Sequence, residues 1–137
     1  MSAELPAGAR AVVVTASNRA SAGVYEDRSG QALAQGLRDL GFEVAGPHVR
    51  PDDHTPEQTR GVVQREIPAL VAEIARYGVD HGVPTALLSR GVAGVAEQTL
   101  IVNLPGSTGG VKDALAVLGP LLPHVVSQLR GGDHPRA

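Results

Sequence analysis

The segment Pro105-Gly106-Ser107-Thr108-Gly109-Gly110 lies between an apolar run and a helical pattern. Its glycines let backbone N–H groups approach a ligand closely, its hydroxyls add polar contacts, and the start of a helix favours an anion. It is neither a Walker A loop nor a Gly-x-Gly-x-x-Gly fingerprint, and an ordinary strand-to-helix turn with small capping residues has the same pattern. Asp52 and Asp53, after Pro51, offer two carboxylates. Those suit Mg2+ held jointly with substrate phosphates, or a solvated acidic turn. Ser89-Arg90 ends another apolar run, where the guanidinium fork would hold a phosphate or pair with a surface carboxylate. Ser17 and Asn18 follow the first apolar run, at the edge where open α/β sheets bind ligands; a polar capping loop is the plainer reading.

Other chemistries are excluded. The chain has no Cys, so disulfides and thiolate metal sites are absent. His48, His54, His81, His124 and His134 show no metal-ligand spacing, and Ser107 has neither a paired His nor a nucleophile-elbow sequence. Lys plus Arg number 12 against 14 Asp plus Glu, a formal charge of −2 with no basic field for a nucleic-acid backbone. Aromatic residues make up 2%, which argues against stacking platforms and requires a core of Val, Leu, Ile and Ala. There is neither a secretion signal nor an apolar run of membrane-spanning length, so a cytoplasmic protein without membrane contact is expected.

The elements that must position these residues follow from their patterns. At 137 residues one domain is expected, over 1–137, with 1–9 and 131–137 as frayed tails. The β-branched run over 11–16 predicts a strand buried on both faces. Ser29 is placed to cap a helix over 30–40, with Leu33, Leu37 and Leu40 on one face and Gly41 ending it. Residues 42–49 suit a second, irregular strand. Thr55-Pro56-Glu57-Gln58 reads as a helix start capped by Thr55, with a break or kink at Pro68. Residues 84–88 and 98–104 read as strands around a glycine-punctuated turn at 89–94. Helices are predicted over 111–118 and 121–130.

Together these segments resemble the MogA/MoaB family of molybdenum-cofactor biosynthesis proteins. The matching stretches run in family order: Val12 to Gly30, Thr55 to Arg60, Arg65-Glu66-Ile67-Pro68, Pro84 to Gly91, and Leu100 to Gly110. The Gly-Gly-Asp-His-Pro-Arg tail is similar to actinobacterial Mog members. The resemblance implies a three-layer α/β molybdopterin-binding fold, a mostly parallel sheet flanked by helices, and a homotrimer. It further implies Mg-ATP-dependent adenylylation of molybdopterin with release of pyrophosphate, with Mg2+ as the metal and other molybdenum-cofactor proteins as possible partners. On that reading Asp52 and Asp53 serve catalysis and Mg2+. Ser17, Arg19, Ser89, Arg90, Pro105, Gly106, Ser107, Gly109 and Gly110 bind substrate. A non-catalytic, MoaB-like pterin-binding or assembly role is the alternative.

One departure stands out. Family members separate the two aspartates with a helix, an inner strand and a Thr-Thr-Gly-Gly-Thr-Gly-type loop. Here Arg50-Pro51-Asp52-Asp53-His54-Thr55-Pro56 is continuous. Such a helix–strand unit takes on the order of 30 residues.

Overall fold

The computed structural model describes residues 4–23, 26–52 and 54–131. Strands β1 (Arg10–Ala16) and β2 (Glu43–Arg50) pair in parallel. Parallel neighbours need a crossover, supplied by the short α1 (Asn18–Ser21) and by α2 (Arg28–Asp39). The register runs from Arg10↔Glu43 to Ala16↔Arg50, with the expected irregularity falling between Val12 and Val14. Asp27, rather than Ser29, caps α2. Its carboxylate accepts the Gly30 N–H at 3.0 Å and the Thr15 hydroxyl at 2.7 Å. One charged acceptor thus satisfies the helix start and ties it to β1 through charge-assisted bonds, stronger than a neutral hydroxyl would make. Gly41 follows α2 at φ 106, as the C′ position prefers.

The second half departs further from expectation. Helix α3 (Thr55–Val62) begins after His54, which sits at φ 52 with no side-chain cap. Thr55 is therefore not the cap; its hydroxyl donates instead to Asp52 Oδ1 at 2.7 Å. The break at Pro68 is complete, because β3 (Arg65–Glu66) intervenes and Pro68 opens α4 (Pro68–Asp80). Proline suits that first turn, where its missing N–H has no helical partner. Pro84–Leu88 is a 3₁₀ helix, not a strand. It lacks β-branched residues except Thr85, starts on proline, and leaves Leu87 and Leu88 70% and 78% exposed. The strand lies instead at β4 (Ala93–Ala96), which begins within the last two residues of the segment expected to be a turn. Gly94 is a packing requirement there: a Cβ would stand 2.6 Å from the Arg65 carbonyl oxygen. β4 pairs antiparallel with β3 and with β5 (Thr99–Val102). Among the described residues parallel pairing is thus found only at β1–β2; Glu97 and Gln98 alone join β4 to β5, and so short a connection permits only antiparallel neighbours. Helices α5 (Thr108–Leu118) and α6 (Leu122–Leu129) match expectation.

The core gathers Ala9, Phe42, Ile74, Ala114, Leu118 and Leu122 from both halves, aliphatic apart from Phe42. Ala34 and Ala114 are fully buried where α2 and α5 meet. Leu5 packs against this core, and Ala7 accepts a hydrogen bond from Arg130 Nη1 at 2.8 Å. The fraying expected over 1–9 therefore does not reach Leu5–Ala9. Residues 132–137 lie outside the described residues.

Candidate functional site

Because β1 and β2 are parallel, the loops after them share one edge. Ser17 begins α1, its hydroxyl accepting the Ala20 N–H at 3.2 Å, while its own N–H donates to the Arg50 carbonyl at 2.9 Å. Asn18 Oδ1 accepts the Asp52 N–H at 2.9 Å. The two loops are thus locked together, with the Asp52 carboxylate held by Thr55. Asn18, expected at a ligand-binding strand edge or in a polar capping loop, is the device that places Asp52. Arg19 lies within α1 but its side chain is outside the described residues, as is Asp53, including its separation from Asp52 and its expected role with Mg2+.

The 105–110 loop is built differently. Ser107 caps α5 by accepting the Gly110 N–H at 3.0 Å. Its hydroxyl keeps a proton to donate, and the N–H groups of Thr108 and Gly109 lie in the first turn, where no helical acceptor exists. A Cβ on Gly110 would lie 2.5 Å from Pro105 Cβ, so that glycine is required by packing; Gly106 and Gly109 face open space. Ser89 accepts the Gly91 N–H at 3.4 Å, and Arg90 stands 3.7 Å from Glu57 in an exposed pair. Such a pair is weak and exchangeable.

Asn103 is the residue that pattern reading missed. Its Oδ1 accepts the Val92 N–H at 3.0 Å and its Nδ2 donates to Thr59 Oγ1 at 2.9 Å. Thr59, buried within α3, donates its hydroxyl hydrogen bond to the Thr55 carbonyl at 3.0 Å. This chain of bonds ties the end of β5 to the helix that follows Asp52. An Asn directly before Leu-Pro-Gly, closing an apolar strand, was the available signal.

All these stretches line one cleft of about 1860 Å3. Ser17, Asp52, Ser89, Arg90, Pro105, Gly106 and Ser107 face it; Gly109 and Gly110 border instead a smaller cavity of about 590 Å3 under the same loop. Among the described residues no cluster of three or more His, Asp or Glu gathers as a metal site. A depressed carboxyl stands away from the cleft, on α4: the hydrogen bond from Arg76, with its positive charge, holds Glu73 below the usual carboxylate range. No helix among the described residues is long and apolar enough to cross a membrane.

An α/β fold with loops gathered at the strand ends and a glycine-rich helix start has the layout in which such folds carry their binding sites. Residues 46–124 match the family model described as "Probable molybdopterin binding domain". The chain is 32% identical to the molybdopterin adenylyltransferase of Helicobacter pylori strain J99, with 87% of this chain and 86% of that protein aligned. With the molybdopterin adenylyltransferase of Escherichia coli K12 it shares 31%, over 75% of this chain and 70% of that one. The solved structure of the molybdopterin biosynthesis Mog protein from Mycobacterium ulcerans superposes at a TM-score of 0.78 with 39% identity, covering 89% of this chain and 99% of that chain. The chain belongs to the MogA/MoaB family of molybdopterin-binding domains and has its three-layer α/β fold.

The alignments also hold positions that this chain does not fill. The Helicobacter alignment runs over 155 residues, yet 87% of 137 is about 119, leaving about 36 positions without a residue here. For the Escherichia coli relative, 139 aligned positions against about 103 residues again leave about 36.

Proposed function

We propose that the chain adenylylates molybdopterin with Mg-ATP, giving adenylyl-molybdopterin and pyrophosphate. The observation that carries this reading is the 105–110 loop. Packing accounts for Gly110 but not for Gly106 and Gly109, and α5 begins with donors in need of an acceptor. A phosphate seated there answers both. Adenylyl transfer needs no protein nucleophile: a phosphate oxygen of the pterin attacks the ATP α-phosphorus as the bond to pyrophosphate breaks. The protein positions both groups and offsets their charge. Arg90, released from its exposed pair with Glu57, supplies a fork for phosphate. Ser17 and Ser89 orient the pterin side through their hydroxyls, with Arg19 on the same edge.

Asp52 suits Mg2+, which keeps most of its waters and takes one or two carboxylates together with substrate phosphates. Its Oδ2 is uncommitted to Thr55, and it lines the cleft. The ion would supply charge neutralisation at the phosphates. Asp53 is proposed as its neighbour in that role. A cytoplasmic homotrimer, working beside other molybdenum-cofactor proteins, belongs to the same reading.

Pyrophosphate release by the purified chain with molybdopterin and Mg-ATP is the test. Asp52→Asn is expected to lower turnover by at least about tenfold while leaving the fold intact, since only a hydrogen-bond acceptor and a charge change. The 36-position departure favours one second reading, a MoaB-like protein that binds the pterin without turnover. Calorimetric binding of molybdopterin with no pyrophosphate released would select it.

A further inference from the structure

Asn103 stands where three segments of the cleft meet. The glycine loop begins two residues after it, at Pro105. Its backbone N–H donates to the Val92 carbonyl at 2.9 Å and its Oδ1 accepts the Val92 N–H at 3.0 Å. Backbone and side chain together thus clamp the stretch that follows Ser89-Arg90-Gly91. Gly91 permits the approach, since a Cβ there would stand 3.0 Å from the Asn103 carbonyl oxygen. On its other side, Nδ2 donates to Thr59 at 2.9 Å, and Thr59 donates to the Thr55 carbonyl, in the first turn of α3. From that turn the Thr55 hydroxyl holds Asp52 Oδ1 at 2.7 Å.

The first turn of α3 needs such an outside hold. His54 enters it at φ 52, a left-handed backbone that a residue with a Cβ adopts only at a cost, and its side chain makes no cap bond to the helix. The residue type at 103 answers to the same demand. Asparagine carries an acceptor and a donor on one short, planar group; Asp would keep the bond from Val92 and lose the one to Thr59. We propose that Asn103 is a positioning residue: through Thr59 and Thr55 it sets the Asp52 carboxylate against the glycine loop, and so fixes where Mg2+ on a phosphate meets that carboxylate. This rests on the reading of Asp52 as a ligand of Mg2+. Asn103 acts on the ion through Asp52 and not by contact with it.

Calorimetric binding of ATP to the full chain, with Mg2+ and with EDTA, tests this. The readout is how much Mg2+ tightens ATP. Thr59→Val changes no charge and is expected to cut that tightening about three- to tenfold, with ATP affinity in EDTA unchanged. Asn103→Asp should cut it too, although its added charge by itself would raise it. The double variant should lose no more than the worse single one, because both break one bond. Thr59→Ser keeps the hydroxyl and should restore the wild-type value. A role only in holding the fold together would lower the melting temperature without changing what folded molecules bind. An unchanged Mg2+ effect in Thr59→Val, a larger one in Asn103→Asp, or no recovery in Thr59→Ser overturns the positioning role. A wild type in which Mg2+ has no effect overturns it together with the reading of Asp52. If the variants lose the Mg2+ effect but the wild type releases no pyrophosphate with molybdopterin, adenylylation falls and the positioning role stands. Should Thr59→Val fail to fold, Thr55→Val, which removes the bond to Asp52 itself, replaces it with the same outcomes.

Discussion

Strands β1 and β4 are both short and apolar, yet they live in opposite surroundings. Among the described residues β1 has a paired neighbour on one side, and its burial alternates: Val13 is 2% exposed while the flanking valines stand in the open. β4, which starts on Ala93 and Gly94, is enclosed. β3 and β5 flank it, and Val92 and Ala93 are 3% and 1% exposed. The difference teaches that side-chain character does not decide how deeply a strand is buried. The number of paired neighbours and the layers above them decide it. In β1 three valines face a cleft; in β4 alanine and glycine suffice because the backbone of β3 comes close.

The sharpest way to break this comparison is Gly94→Ala. Its Cβ would press on the Arg65 carbonyl, a backbone atom that cannot swing aside, and on the Val63 side chain at 3.0 Å. A loss of about 3 kcal/mol in urea unfolding is expected, with β3 separating from β4. Val13→Ala on β1 should cost about 2 kcal/mol, through lost apolar burial and the cavity left behind. Val12→Thr keeps the strand preference and changes only an exposed position. Measured in dilute protein, it should shift unfolding by less than about 0.5 kcal/mol, and a loss equal to that of Val13→Ala would mean that β1 is enclosed after all. The smallest effect belongs to Glu73→Gln on the exposed face of α4. Arg76 lowers the Glu73 pKa in the folded chain, so the pair stabilises above the ordinary carboxylate range and loses its contribution as pH falls through the lowered value. The wild type and the variant should therefore converge in urea midpoint at acid pH and differ slightly at neutral pH.

Much of the architecture was legible from pattern. The β1 and β2 segments, α2 with its Gly41 stop, and the two C-terminal helices follow from periodicity and capping signals that act locally. What escaped depends on distant partners. Pro84–Leu88 looked like a strand because its residues are apolar, but a strand needs an edge to pair with. Gly91 and Gly94 looked like turn punctuation, while Gly94 answers to the approach of Arg65 from elsewhere in the chain. Asp27 outranked Ser29 as a cap because it also reaches Thr15. At the site, the glycine loop announced itself locally. Asn103 and Asn18 did not, because each works by holding another loop in place.

The bond from Arg130 to the Ala7 carbonyl brings the two ends of the described chain side by side. The path of the backbone is therefore nearly a closed ring. A short linker joining those ends, with a new opening cut at the exposed turn around Gly82, where an added Cβ would meet no atom within 4 Å, would reorder the sequence while leaving every layer where it is. Connectivity through that point is a matter of history, and the fold itself depends on contacts that such a rearrangement leaves untouched.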